Sequence, residues 1–275
     1  MSKNVSDQAS KTIVLIHGAW LTPEIWAPWR ARYEALGHTT LAPAWPLMDR
    51  PIEELRLRPH PELGRLTLGR IVDHYAAIIG KLPEKPILIG HSYGGLIVQM
   101  LLDRGLGAAG ISIDPGPAAG IVAGPKAFLS ALPVFVAWRG WSRALTMSFG
   151  AFARNFANGL PEAVQRTAYD RHIVPAPGRI YYQSVLGIGA GVGWKNATRA
   201  PLLLVNGEDD RTVEPGMVRQ NLKKYARSTA VTALKSFPRR SHFLIAAPGW
   251  EEIADYALQW AATQIGPATA ERRST

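Results

Sequence analysis

The sequence predicts an α/β fold: a doubly wound, mostly parallel sheet flanked by helices, with an inserted helical lid. Three observations carry this. Short apolar runs recur along the chain and are continuous rather than alternating, which marks strands covered on both faces. Between them lie segments with apolar residues three and four apart, so strand and helix alternate and right-handed crossovers follow. One long stretch, 115–198, interrupts the rhythm between two strands without a convincing strand of its own.

Thr12–Ile16 (TIVLI) reads as the first strand, Trp26–Leu36 as a helix and Thr39–Ala42 as the second strand. Pro43–Pro61 is rich in Pro and aperiodic, so it reads as a loop. Leu66–Leu82 is helical, Pro86–Gly90 is the third strand, Leu96–Leu102 a short buried helix and Gly110–Asp114 the fourth strand. Inside the insertion, Phe128–Trp138, Trp141–Phe156 and Pro161–Tyr169 read as helices. Pro201–Asn206 is the fifth strand, Met217–Tyr225 a helix and Val231–Phe237 a sixth strand near an edge. Trp250–Ile265 closes the fold, with Ile253, Tyr256, Ala257, Trp260 and Ile265 on one side. The core is thus 11–114 and 199–265, the lid 115–198, and 1–10 and 266–275 are expected to fray.

The chain has 275 residues and no Cys. That excludes a disulfide scaffold, thiolate zinc, iron–sulfur clusters and a cysteine nucleophile. The polar start, Met1–Lys11, lacks the apolar stretch of a signal peptide, and no run of 18 apolar residues exists. A cytoplasmic protein without a membrane span is expected. The net charge is +10, yet no more than two Lys/Arg stand together and no nucleic-acid motif appears, so nucleic acid is not the expected partner. The excess is concentrated: residues 116–198 hold eight Lys/Arg against Glu162 and Asp170. Scattered Arg of this kind is most often a solvated face; the alternative is that the basic lid favours an anionic substrate or an acidic membrane surface. Scattered histidines, no H-x-x-x-H and no dinucleotide fingerprint imply neither a metal nor a cofactor. Oligomeric state leaves no readable trace.

The strongest chemical signal is Gly90-His91-Ser92-Tyr93-Gly94-Gly95, directly after a strand and opening a helix. A nucleophile there takes a strained turn, and Gly two before and two after leave room for it to close. Ser92 then projects at the carboxyl edge of the sheet, beside free N–H groups of the helix N-terminus.

On these residues, with His17-Gly18-Ala19-Trp20, Gly207-Glu208-Asp209-Asp210 through Val213, and Ser241-His242-Phe243, the chain resembles the α/β-hydrolase family from about Thr12 to Ala262. The resemblance implies a serine hydrolase without cofactor. It makes Ser92 the nucleophile, Asp210 the acid and His242 the general base, with the backbone N–H groups of Ala19 and Tyr93 as the oxyanion hole. Asp114, ending the strand after the elbow, is the rival acid. Of the other histidines, His17 is expected to hold its loop and His91 to point away. His172 is a candidate substrate contact, and His38, His60 and His74 read as surface.

Ser92 argues against dehalogenase and epoxide-hydrolase chemistry, which use Asp at the elbow. Phe243 argues against a hydroxynitrile lyase, which has Lys after the catalytic His. What remains is attack on the carbonyl of a small molecule with a medium-sized apolar or aromatic group: a carboxylic ester or lactone foremost, with thioester and amide also open. Carbon–carbon hydrolysis, a cofactor-free haloperoxidase and a non-catalytic ligand receptor are the alternatives. Trp20, Trp26, Trp138, Trp141, Phe149 and Phe243 are the expected pocket walls.

Overall fold

Burial decides the sheet. Every residue of β1 (Thr12–Ile16), β3 (Ile87–His91), β4 (Ala109–Ile113) and β7 (Leu202–Gly207) is buried, whereas β2 (Thr39–Leu41) and β8 (Thr232–Phe237) are largely half-exposed. Covered strands belong in the middle and half-exposed ones at the edges. In the computed structural model, which describes residues 11–265, the order is β2-β1-β3-β4-β7-β8 with every neighbouring pair parallel. The six strands fall where the apolar runs predict them, with ends shifted by a residue. The expected frayed tails, 1–10 and 266–275, lie outside the described residues.

The chain runs from β1 outward to β2, then crosses back over β1 to β3 and proceeds the other way. This reversal opens a crevice at the carboxyl ends of the strands, where ligands bind in such sheets. The loops after β3, β4, β7 and β8 all leave from that edge. Helices Ala27–Ala35, Leu68–Ile79, Tyr93–Asp103, Pro215–Tyr225 and Trp250–Ile265 link or close the sheet. Tyr93–Asp103 carries ten buried residues because it packs directly on the sheet, so its apolar run has no polar face.

Two expectations are corrected. Pro43–Pro61 contains a helix, Ile52–Leu57. It is too short to show periodicity and is fixed by tertiary contacts: Leu55 is buried, and the Arg56 guanidinium donates to the carbonyls of Tyr169, Asp170 and Ile173. The stretch Trp141–Phe156 is not one helix. Arg139 turns left-handed, a 3-10 turn covers Gly140–Ser142, and β5 (Ala144–Leu145) pairs antiparallel with β6 (Ala176–Pro177) before Phe149–Ala151 and the wide turn Phe152–Phe156. The insertion therefore has strands, two residues each, made by pairing across 30 residues of sequence and so invisible to a local pattern. Its remaining helices are Pro125–Val136, Glu162–His172 and Arg179–Leu186.

Candidate active site

Ser92 has φ 56° and ψ −125°, a conformation that costs a non-glycine residue strain. Backbone bonds hold it there. Its N–H donates to the Ile113 carbonyl at 2.9 Å, and its own carbonyl accepts from Gly95 and Gly116 at 2.8 Å each. A Cβ at Gly90 would collide with the Gly94 carbonyl, and one at Gly94 with the Ile16 carbonyl. The elbow is thus jammed against β1, and glycine is what lets the chains approach.

Asp210 lies in the turn after β7 and His242 in the loop after β8. Asp210 Oδ1 accepts from the N–H groups of Thr212 (2.7 Å) and Val213 (2.8 Å). Its Oδ2 accepts from His242 Nδ1 at 2.5 Å, with both side chains fully buried. Glu208 and Asp209, the neighbouring acids, are exposed. His242 Nε2 is buried and has no hydrogen-bond partner, so the Ser92 hydroxyl is not aligned with it; this bond commonly tightens only around substrate.

His91 was expected to point away from the site. It points instead at the base: its Nε2 donates to the His242 carbonyl at 2.8 Å, and the two rings are 4.6 Å apart. Burial, then the neighbouring His242, pushes the His91 pKa well down, so it is a neutral donor. Its only sequence signal was its place in the elbow. Asp114 is fully buried, and its Oδ1 accepts from the Gly207 N–H at 3.0 Å. One ligand atom each of His91, Asp114 and His242 lies within 4.8 Å of the others, a grouping that scattered histidines in sequence do not reveal.

The loop after β1 lies across the elbow: a Cβ on Gly18 would sit 2.7 Å from Ser92 Cβ. Among the described residues, none of the turn, loop and cap backbone hydrogen bonds uses the N–H of Ala19 or Tyr93. His17 holds this loop. Its Nδ1 donates to the Gly18 carbonyl at 2.9 Å, its Nε2 accepts from Trp45 N–H at 3.2 Å, and its ring stacks on Trp45. Burial lowers its pKa to about 4, against the smaller effect of the Gly18 carbonyl.

A cavity of about 80 Å³ opens onto Ser92, walled by Trp20, Tyr93, Ala127, Ala131, Phe135 and Tyr181 among others, with no charged residue in its wall among the described residues. Of the expected wall residues, only Trp20 lines it. Trp26 is wholly buried against Trp29, because its helix faces the core. Trp138 and Trp141 are 80% and 50% exposed, since the left-handed turn at Arg139 swings them outward. Phe149 lies under Arg166 and beside Tyr169. Phe243 is buried against Phe152 and Phe156, and with His172 borders a separate surface depression. Besides Trp20, the walls come from the helix Pro125–Val136, from Tyr93 and Tyr181, and from Thr212, Val213 and Met217. Small Ala residues carried no signal there.

No helix among the described residues is long and apolar enough to cross a membrane. No curated protein matches the chain. Solved structures are similar in fold. A monoacylglycerol lipase from Paleococcus ferrophilus has a TM-score of 0.65 and 21% identity, over 92% of this chain and 94% of that one. The pyrethroid hydrolase PytH has a TM-score of 0.64 and 20% identity, over 92% and 98%. A methylesterase from Arabidopsis has a TM-score of 0.65 and 14% identity, over 92% and 99%. The model of the alpha/beta hydrolase family matches residues 13–255. The parallel sheet, the strained Ser92 turn and this match together make the chain a member of the alpha/beta hydrolase family.

Proposed function

We propose that this protein is a cofactor-free serine hydrolase that cleaves carboxylic esters, or lactones, of neutral apolar substrates through an acyl-enzyme. The observation that carries the reading is Ser92 at the wall of an uncharged cavity, on the sheet edge that also bears the buried Asp210–His242 pair. In this reading Ser92 Oγ attacks the substrate carbonyl while His242 Nε2 takes its proton. Asp210 fixes the Nδ1–H tautomer and stabilises the imidazolium. The N–H groups of Ala19 and Tyr93 receive the oxyanion. His242 then gives its proton to the leaving alcohol, and water releases the acid by the same steps in reverse.

Charge placement supports a neutral substrate. Seven of the eight Lys/Arg of residues 116–198 are exposed and Arg179 is half-buried, while the cavity wall holds no charged residue. The basic surface is therefore a solvated face, and 115–198 acts as a lid through its apolar inner side. The similar structures named as lipase, esterase and pyrethroid hydrolase fit ester chemistry. The test is hydrolysis of p-nitrophenyl esters of graded chain length, with fluorophosphonate labelling of Ser92. Labelling and ester turnover that both vanish in Ser92→Ala support the reading. A wild-type protein that neither labels nor turns over any ester or lactone overturns it.

A further inference from the structure

Asp114 is built into the site at a cost. It ends β4 with φ +40°, the left-handed region that a non-glycine residue enters only when its surroundings force it. Its N–H donates to the Val205 carbonyl at 2.8 Å, and its Oδ1 accepts from Gly207 N–H at 3.0 Å. Its Oδ2 is buried and meets no donor. Three titratable groups face it: His91 from the end of β3, Asp210 from the turn after β7 and His242 from the loop after β8.

The two carboxyl groups are unequally supplied. Asp210 accepts three hydrogen bonds, from Thr212, Val213 and His242, whereas Asp114 accepts one, from Gly207. Among the described residues, no Lys or Arg is in the set of groups that face Asp114. Two buried carboxyl groups that face each other repel when both are charged, so a charge on Asp210 disfavours one on Asp114. The charge settles where donors are most numerous, on Asp210, and the proton stays where a buried oxygen lacks one, on Asp114 Oδ2.

We propose that Asp114 is a positioning residue that works in its protonated form, donating Oδ2–H to the Asp210 carboxylate. It thereby grips both ends of one turn: Gly207 N–H through Oδ1 and the Asp210 side chain through Oδ2. The proton does not leave Asp114 during catalysis. Its effect passes through Asp210 to the tautomer and orientation of His242. Burial, and then the Asp210 charge, push the Asp114 carboxyl well above the usual carboxylate range, which agrees with this geometry.

The kinetic arm rests on the hydrolase reading above; the spectroscopic arm does not. Infrared spectra with isotope-labelled Asp should show a protonated carboxyl at neutral pH in the wild type and in Ser92→Ala. Asp114→Asn and Asp114→Ala should lack it. Asp114→Ala should lower kcat for a p-nitrophenyl ester by about tenfold or more, with KM little changed. Asp114→Asn should recover most of that loss, because its amide N–H replaces the acid O–H as donor. Its rate should also lose any alkaline fall due to ionisation of Asp114. Absence of the protonated band in the wild type, or Asp114→Asn as crippled as Asp114→Ala, overturns the proposal. Should Asp114→Ala not fold, the infrared band and the pH profile of Asp114→Asn still decide. If no ester is turned over even by the wild type, the hydrolase reading fails while the band still reports on Asp114.

Discussion

The imidazole of His91, one residue before Ser92, is clamped to the backbone of His242, with Nε2 2.8 Å from the carbonyl oxygen. Nucleophile turn and base loop, 151 positions apart, are thus tied by one buried bond. A buried neutral hydrogen bond is worth about 1 kcal/mol net and more when its acceptor is left unpaired. His91→Phe should therefore lower kcat by about tenfold with near-native circular dichroism. An unchanged rate of fluorophosphonate labelling would show that the clamp does not position His242.

Asp210→Asn should lower kcat by roughly a thousandfold or more, since an amide beside Nδ1 favours the wrong tautomer. Ser92→Ala should abolish turnover, and adding His242→Ala to it should cost scarcely more, because such residues act as a unit. Steady-state kinetics on the three variants check this; multiplicative losses would contradict it.

Stability should depend on His17. Its ring is neutral when folded, with Nε2 accepting from Trp45 N–H, so protonation breaks that bond. The folded pKa, about 4, lies below the unfolded 6.5. Its contribution is therefore complete above about pH 6.5 and is lost as pH falls towards 4, roughly 3 kcal/mol in all. Urea unfolding at pH 7 and pH 4.5 should show this fall, and His17→Gln should flatten it. His91 and His172, also depressed, act in the same direction and keep the remaining slope positive.

Trp20 walls two cavities, the one holding Ser92 and another bordered by Pro133, Val134 and Met147. Its indole donates to the Leu145 carbonyl at 3.0 Å and packs on Tyr181. Trp20→Ala should join the two spaces and shift preference towards longer acyl chains, with kcat/KM for a long ester rising several-fold relative to a short one. A chain-length profile that keeps its shape would show that the ring does not divide the substrate space.

Two glycines in helices should respond oppositely to alanine. At Gly69 an added Cβ meets nothing within 4 Å, so Gly69→Ala should stabilise by up to about 1 kcal/mol. At Gly94 the same Cβ collides with the Ile16 carbonyl and lies 2.8 Å from that of His17. Backbone cannot yield there, and Gly94→Ala should cost more than about 3 kcal/mol despite better helix propensity. Thermal melts of both variants settle the comparison.

Sequence alone determined the parallel sheet, its helices and the place of Ser92. Strands buried on both faces must be continuously apolar, as TIVLI and PLLLV are, and a strained elbow must carry glycine on either side. These are local requirements, so they leave local traces. The helix Ile52–Leu57 and the strands Ala144–Leu145 and Ala176–Pro177 left none, because their backbone partners come from distant segments. The pocket walls leave no local trace for a related reason. Trp138 turns to the surface, and the small Ala127 and Ala131 line the cavity, once the turn at Arg139 and the packing of Pro125–Val136 fix which side faces Ser92. Aromatic composition cannot tell a wall from a surface. The partnership of His91 and Asp114 with the Asp210–His242 pair was likewise decided only by the tertiary structure. Adjacent parallel strands bring residues from four loops to one edge, and which of them share donors and a proton depends on distances that no spacing along the chain encodes.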